Sequence, residues 1–73
     1  MYYVIQDGIR IGFLSEGRMM VQSPDKMTLL KNFDLESKET GEVEKDCFIS
    51  HYSVCYLKDD CYILEGVVVV FQP

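Results

Sequence analysis

Two apolar stretches flank Asp7-Gly8, and this dipeptide predicts a type I′ hairpin because both of its positions tolerate positive φ. A two-residue turn there pairs Gln6 with Ile9, Val4 with Ile11 and Tyr2 with Phe13. That register places Tyr2, Val4, Ile9, Ile11 and Phe13 on one face, with Tyr3, Ile5, Arg10, Gly12 and Leu14 on the other. Tyr3 then lies opposite Gly12, where an aromatic ring covers bare backbone. Ser15-Glu16-Gly17 predicts a second turn, a three-residue loop whose last position Gly17 fills in the left-handed conformation. It pairs Leu14 with Arg18, Phe13 with Met19 and Ile11 with Val21. Met19 and Val21 thereby join the first apolar face, and three strands form a meander.

Ser23-Pro24-Asp25 supports two readings. In one, Ser23 caps a helix, Pro24 takes its first position and Asp25 favours its first turn, so that Met27, Leu30 and Phe33 share a side. In the other, Pro24 opens a turn and a strand follows, with Met27, Leu29, Phe33 and Leu35 on one parity. The first reading is carried forward as a short helix near 24–33. Residues 34–46 form an acidic loop or a hairpin with its tip at Thr40-Gly41.

The C-terminal third predicts strands over 47–57 and 61–71, joined by a turn at Lys58-Asp59-Asp60. Both parities of each strand are largely apolar, which calls for cover on two sides. Gly66 marks a bulge, a bend or a tight turn within the second strand. The run Val67–Phe71 is an aggregation hazard if exposed, so burial is expected. The fold class that follows is mainly β, a β-rich α+β domain spanning 1–73. It is a small antiparallel sheet or partly open barrel of 5–7 strands, with at most one short helix.

Composition narrows the function classes. Hydrophobic residues make up 48% and charged residues 26% of 73 positions, the usage of a globular domain. The net charge is −5, and the acids and lysines of 34–46 supply most of it. Direct nucleic-acid binding needs clustered Lys and Arg, and anionic membranes need the same, so neither is expected. The start of the chain does not read as a signal peptide, and no apolar run approaches a membrane span. Three cysteines, an odd number, fit reduced thiols and a cytoplasmic location.

Cys47, His51, Cys55 and Cys61 are the donor types of a structural zinc site. On a strand, however, residues four apart lie roughly 13 Å from one another, so no metal is expected. The same separation argues against a Cys-His nucleophile, and the cysteines read as small buried hydrophobes. Phosphate-binding glycine loops are absent. Catalytic carboxylates need desolvation to shift their pKa values, which a solvated acidic stretch does not supply. No catalytic residue and no cofactor is therefore expected.

The residue pattern points instead to a non-enzymatic module that docks on a larger protein and regulates or inhibits it, in the manner of an accessory or phage-type inhibitor. The expected contact residues are Glu36, Glu39, Glu42, Glu44 and Asp46, facing a basic surface, with Tyr52 and Tyr56 beside them. Two other readings stand beside it. One is an acidic nucleic-acid mimic that blocks a DNA-binding enzyme. The other is a self-assembling subunit that forms a homo-oligomer through an apolar face or sheet edge.

Overall fold

Asp7-Gly8, Glu16-Gly17 and Asp59-Asp60 are two-residue turns in which both residues lie at positive φ, between 50° and 78°. Turns of this kind twist in the same sense as the strands they join. The computed structural model describes residues 1–22 and 31–71. These form β1 (Tyr2–Gln6), β2 (Ile9–Ser15), β3 (Arg18–Gln22), β4 (Phe33–Ser37), β5 (Val43–His51), β6 (Val54–Lys58), β7 (Cys61–Glu65) and β8 (Val68–Phe71). They make one antiparallel sheet in the order β6-β7-β3-β2-β1-β4-β5-β8, curled into a half-barrel.

The domain is all-β among the described residues, with eight strands rather than 5–7. The extra strands arise because both long C-terminal strands break. β5 ends before Tyr52-Ser53 and β7 ends before Gly66, which takes φ 67°. The breaks face each other, and the Ser53 N–H donates to the Glu65 carbonyl at 2.8 Å. The result is one long hairpin with its tip at Asp59-Asp60 and a bend in its middle. Its tip half attaches through β7 to β3, and its base half attaches through β5 to β4. One bent ribbon thus grips both flanks of the four central strands β3-β2-β1-β4, which gives the sheet its curl. The Val67 N–H ties the bend to the Gly17 carbonyl at 2.8 Å. Of the helix expected near 24–33, residues 24–30 lie outside the described residues, and Phe33 opens β4 instead. None of the helices needed for a membrane crossing, long and apolar enough, occurs among the described residues.

The meander departs from the expected register at two points. Gln6 does pair with Ile9, but a bulge follows, and Val4 pairs with Gly12, Tyr3 with Phe13 and Tyr2 with Leu14. Glu16 itself takes the left-handed conformation, so the second turn has two residues rather than three. Ser15 therefore pairs with Arg18, Leu14 with Met19, Phe13 with Met20 and Gly12 with Val21. Each change moves the pairing by one residue, and a one-residue slip turns side chains to the other face. Leu14 goes to the core side, while Phe13 leaves it and joins Tyr3 and Met20.

The core is a cluster of Val4, Met19, Val21, Phe33, Leu35, Cys47, Leu64 and Val67. Ile11, Leu14, Ile49, Tyr52, Cys55, Tyr62 and Val69 pack against it. Each fully buried aliphatic side chain contributes about 1.5–3 kcal/mol relative to exposure. The acidic segment is an ordered hairpin of β4 and β5. Ser37 closes its loop by donating to the Glu42 carbonyl and accepting from the Gly41 N–H, each at 2.8 Å. A bulge at its base puts Asp46 at φ 57°, with its N–H donating to Asp34 Oδ1 at 3.2 Å.

Among the described residues, the Asp59-Asp60 turn is the one tight turn with a side chain at both left-handed positions and like charges side by side. The double substitution D59N/D60G installs the residue pair that this geometry favours. It is expected to stabilise the fold by about 1 kcal/mol, a rise of about 4–8 °C in the thermal midpoint. Thermal denaturation followed by circular dichroism checks this, and an unchanged or lower midpoint would contradict the turn assignment.

Candidate functional site

The face of the sheet opposite the core carries a continuous row of apolar side chains across five neighbouring strands. Tyr56 on β6 pairs with Ile63 on β7, Ile63 with Met20 on β3, Met20 with Phe13 on β2, and Phe13 with Tyr3 on β1. The pleat places each of them on the same side, because their chain neighbours Cys55, Leu64, Met19, Leu14 and Val4 face the core. Phe13 is 45% exposed, Met20 39% and Tyr56 38%, whereas Ile63 is only 2% exposed and forms the floor of the row. Phe13 stands between two shallow depressions. One, of about 310 Å³, is lined by Met1, Phe13, Ser15, Arg18 and Met20. The other, of about 200 Å³, is lined by Tyr3, Arg10, Ile11, Gly12, Phe13 and Gln22.

A polar contact set fixes the β1 end of the row. The Arg10 guanidinium lies over the Tyr3 ring, 4.2 Å from its centroid, and Tyr3 meets Phe13 at 5.7 Å between centroids. Arg10 Nε and Nη2 reach Glu36 Oε1 at 2.9 and 2.8 Å. Contacts of this type at exposed positions contribute about 0.5–1 kcal/mol each, so their larger effect is to hold Tyr3 and Arg10 in one arrangement. The row then runs into the acidic hairpin, since Tyr3 pairs with Glu36 and Glu36 with Val43.

Comparison of the chain with protein-family models, with curated proteins and with solved structures finds no match. The site is therefore read from its own geometry.

The residues expected at the site are only partly brought together. Glu36 adjoins the row but is engaged by Arg10. Glu39 lies in the hairpin loop, where its own backbone N–H and the Met1 ammonium hold its carboxyl below the usual carboxylate range. Glu42, Glu44 and Asp46 are exposed along the same hairpin. Register puts Glu44 on the face of Leu35, opposite to that of Glu36, so the acids do not share one surface. Tyr52 packs against the core, whereas Tyr56 lies in the row. Tyr3, Phe13, Met20 and Ile63 were not singled out as contact residues from the sequence. The two-faced apolarity of the C-terminal strands was the available signal for Ile63. Phe13 was hidden by the slip in register.

The cysteines and His51 fall in different places. Cys47 is buried in the core, Cys55 packs against it, Cys61 lies on the opposite pleat of β7, and His51 is exposed. Among the described residues no group of three His, Cys, Asp or Glu side chains is placed to hold a metal ion. Burial, reinforced by the carboxylates of Asp34, Glu44 and Asp46, pushes the Cys47 thiol up to about 11. Alkylation requires the thiolate. At pH 8, Cys55 and Cys61 are expected to react with iodoacetamide in the folded protein, and Cys47 only after denaturation, as read by mass spectrometry of the labelled peptides. The same shift works against the fold in alkali. The unfolded chain ionises Cys47 first, so stability falls as pH rises above 9 toward 11. Equal labelling of all three thiols in the native state would contradict this placement.

Proposed function

We propose that this chain is a non-enzymatic module that docks on a larger protein and regulates or inhibits it. The observation that carries the reading is the row Tyr56–Ile63–Met20–Phe13–Tyr3, in which Tyr56, Met20 and Phe13 are exposed over a buried Ile63, flanked by depressions and abutting the acidic hairpin. Aromatic side chains and Met are enriched at protein interfaces, and an apolar anchor with a charged border is the usual anatomy of one. The partner's surface is an apolar patch bordered by Lys or Arg. It sets its apolar side chains on the row and its cations near the acidic hairpin that abuts it, in keeping with the net charge of −5. Three free thiols support a reducing, cytoplasmic setting for this encounter.

Protein docking is favoured over nucleic-acid mimicry because mimicry needs acids repeated along one surface. Here Glu36 and Glu44 lie on opposite faces of the hairpin.

Affinity capture from host lysate at low and high salt, followed by mass spectrometry, tests the proposal. A single stoichiometric partner is expected at both salt concentrations, with less of it at high salt because exposed charge pairs are screened while apolar contacts are not. Absence of a partner at either salt would overturn it.

A further inference from the structure

β8 (Val68–Phe71) does not pair with β1 or β2, so the half-barrel stays open between them. A cleft of about 340 Å³ lies in this opening. Tyr2, Leu14, Val67 and Val69 form its walls, and the exposed Glu16 stands at its rim. The run Val67–Phe71 was expected to be buried, yet only Val67 is. Val69 is half-buried, and Val68, Val70 and Phe71 are exposed. Leu14, Val67 and Val69 all belong to the core cluster or pack against it, so the cleft carries the apolar core out to the surface. The Val67 N–H donates to the Gly17 carbonyl at 2.8 Å, and this bond joins the two walls. The volume is that of a small-molecule site, and the mouths of β-barrels are among the places where such sites form.

Glu16 decides which molecule suits the cleft. It is the only charged side chain among the described residues that line it. Its carboxylate has no hydrogen bond or ion pair among the described residues. The charges near it in the chain are engaged elsewhere. Arg18 faces Glu65 at 3.8 Å, and the Met1 ammonium faces Glu39 at 3.3 Å. Glu16 also takes the first left-handed position of its turn, at φ 50°. That position favours Asn, Asp or Gly. A longer carboxylate held there against its conformational preference is the kind of local strain that accompanies function.

We infer that the cleft binds a small organic cation, an ammonium group carried on an apolar body. The apolar body covers Leu14, Val67, Val69 and the Tyr2 ring, and the ammonium faces Glu16. An anionic molecule is repelled by Glu16 and by the net charge of −5. The docking row lies on the opposite face of the sheet, so the inference stands independently of the docking reading.

Nuclear magnetic resonance titration of the isotope-labelled full chain with phenethylammonium, phenethyl alcohol and hydrocinnamate tests the inference. The three probes share an apolar body and differ in charge. Phenethylammonium is expected to shift the amide signals of Leu14, Glu16, Gly17, Val67 and Val69. It is expected to bind about fivefold more tightly than phenethyl alcohol, with hydrocinnamate the weakest. E16Q keeps the length of the side chain and removes its charge, and is expected to abolish the preference for the cation. E16N is expected to abolish it too, while raising the thermal midpoint by about 4 °C, because asparagine suits the left-handed position. Absence of shifts at the cleft up to millimolar phenethylammonium would overturn the inference. So would equal binding of the three probes, or a preference for the cation that survives E16Q.

Discussion

Replacing Gly12 by alanine is expected to destabilise the fold by about 3 kcal/mol, at the upper end of what one added methyl costs in a packed site. Gly12 sits where the β1–β2 bulge restores pairing, opposite Val4 on one side and Val21 on the other. A Cβ at this position would run into the carbonyl of Met20 and come within 2.7 Å of the Val21 Cα. Both obstacles are backbone, so no side-chain rotation relieves the clash, and β3 must move away from β2. That displaces Met19 and Val21, two of the most buried side chains of the core. Total stability for a chain of this length is on the order of 4–11 kcal/mol, so the loss is a large fraction of it. Urea denaturation measures it, with Gly8→Ala as the reference. Gly8 sits at φ 78° with nothing within 4 Å, so its alanine variant carries backbone strain alone, about 1 kcal/mol. Equal midpoints for the two variants would contradict the close approach of β2 and β3.

F13E/M20E is expected to weaken partner binding about 100-fold or more, whereas E39K/E42K/E44K is expected to weaken it about tenfold. Phe13 and Met20 face each other across β2 and β3 at the centre of the row, beside one of its two depressions. Central, desolvated apolar anchors carry most of the energy of an interface, and a carboxylate buried there is left without a partner. The acidic residues lie on the hairpin beyond the row, Glu44 on its opposite face, where water and salt screen them. Charge at a border acts mainly on the association rate. Surface plasmon resonance with the captured partner separates the two effects. The acidic variant slows association, and the apolar variant speeds dissociation. Both positions of the apolar variant are exposed, so its thermal midpoint stays close to that of the wild type. An apolar variant that binds as tightly as the wild type would remove the row from the binding site.

The Asp7-Gly8 turn, the buried valines and the hairpin at Asp59-Asp60 were legible in the sequence because each rests on local chemistry. Asp7-Gly8 is a type I′ turn, and Val4, Met19 and Val21 are buried as their alternation implies. What the sequence did not disclose depends on contacts between distant segments. The bulge after Arg10 lets β3 approach Gly12, and nothing local announces it. Glu16 adopts positive φ, an uncommon conformation for a residue with a long side chain. Together these moved Phe13 from the expected core face to the outer row. The bends at Ser53 and Gly66 were half-visible, since Gly66 signalled a break but not that Ser53 breaks opposite it. As for the site, the acidic hairpin and Tyr56 were readable as exposed features. Tyr52 was not separable from Tyr56, because both parities of that segment are apolar and only the bend decides which ring turns inward.

Hydroxyl-radical footprinting of the free protein and of its complex with the captured partner, read residue by residue by mass spectrometry, reports which face is covered. Oxidation of Tyr3, Phe13, Met20 and Tyr56 is expected to fall together on binding, while the exposed Ile9 at the β1–β2 turn and Phe71 on β8 keep their rates. Unchanged oxidation of the four row residues, with protection elsewhere, would contradict the assignment of this face as the docking surface.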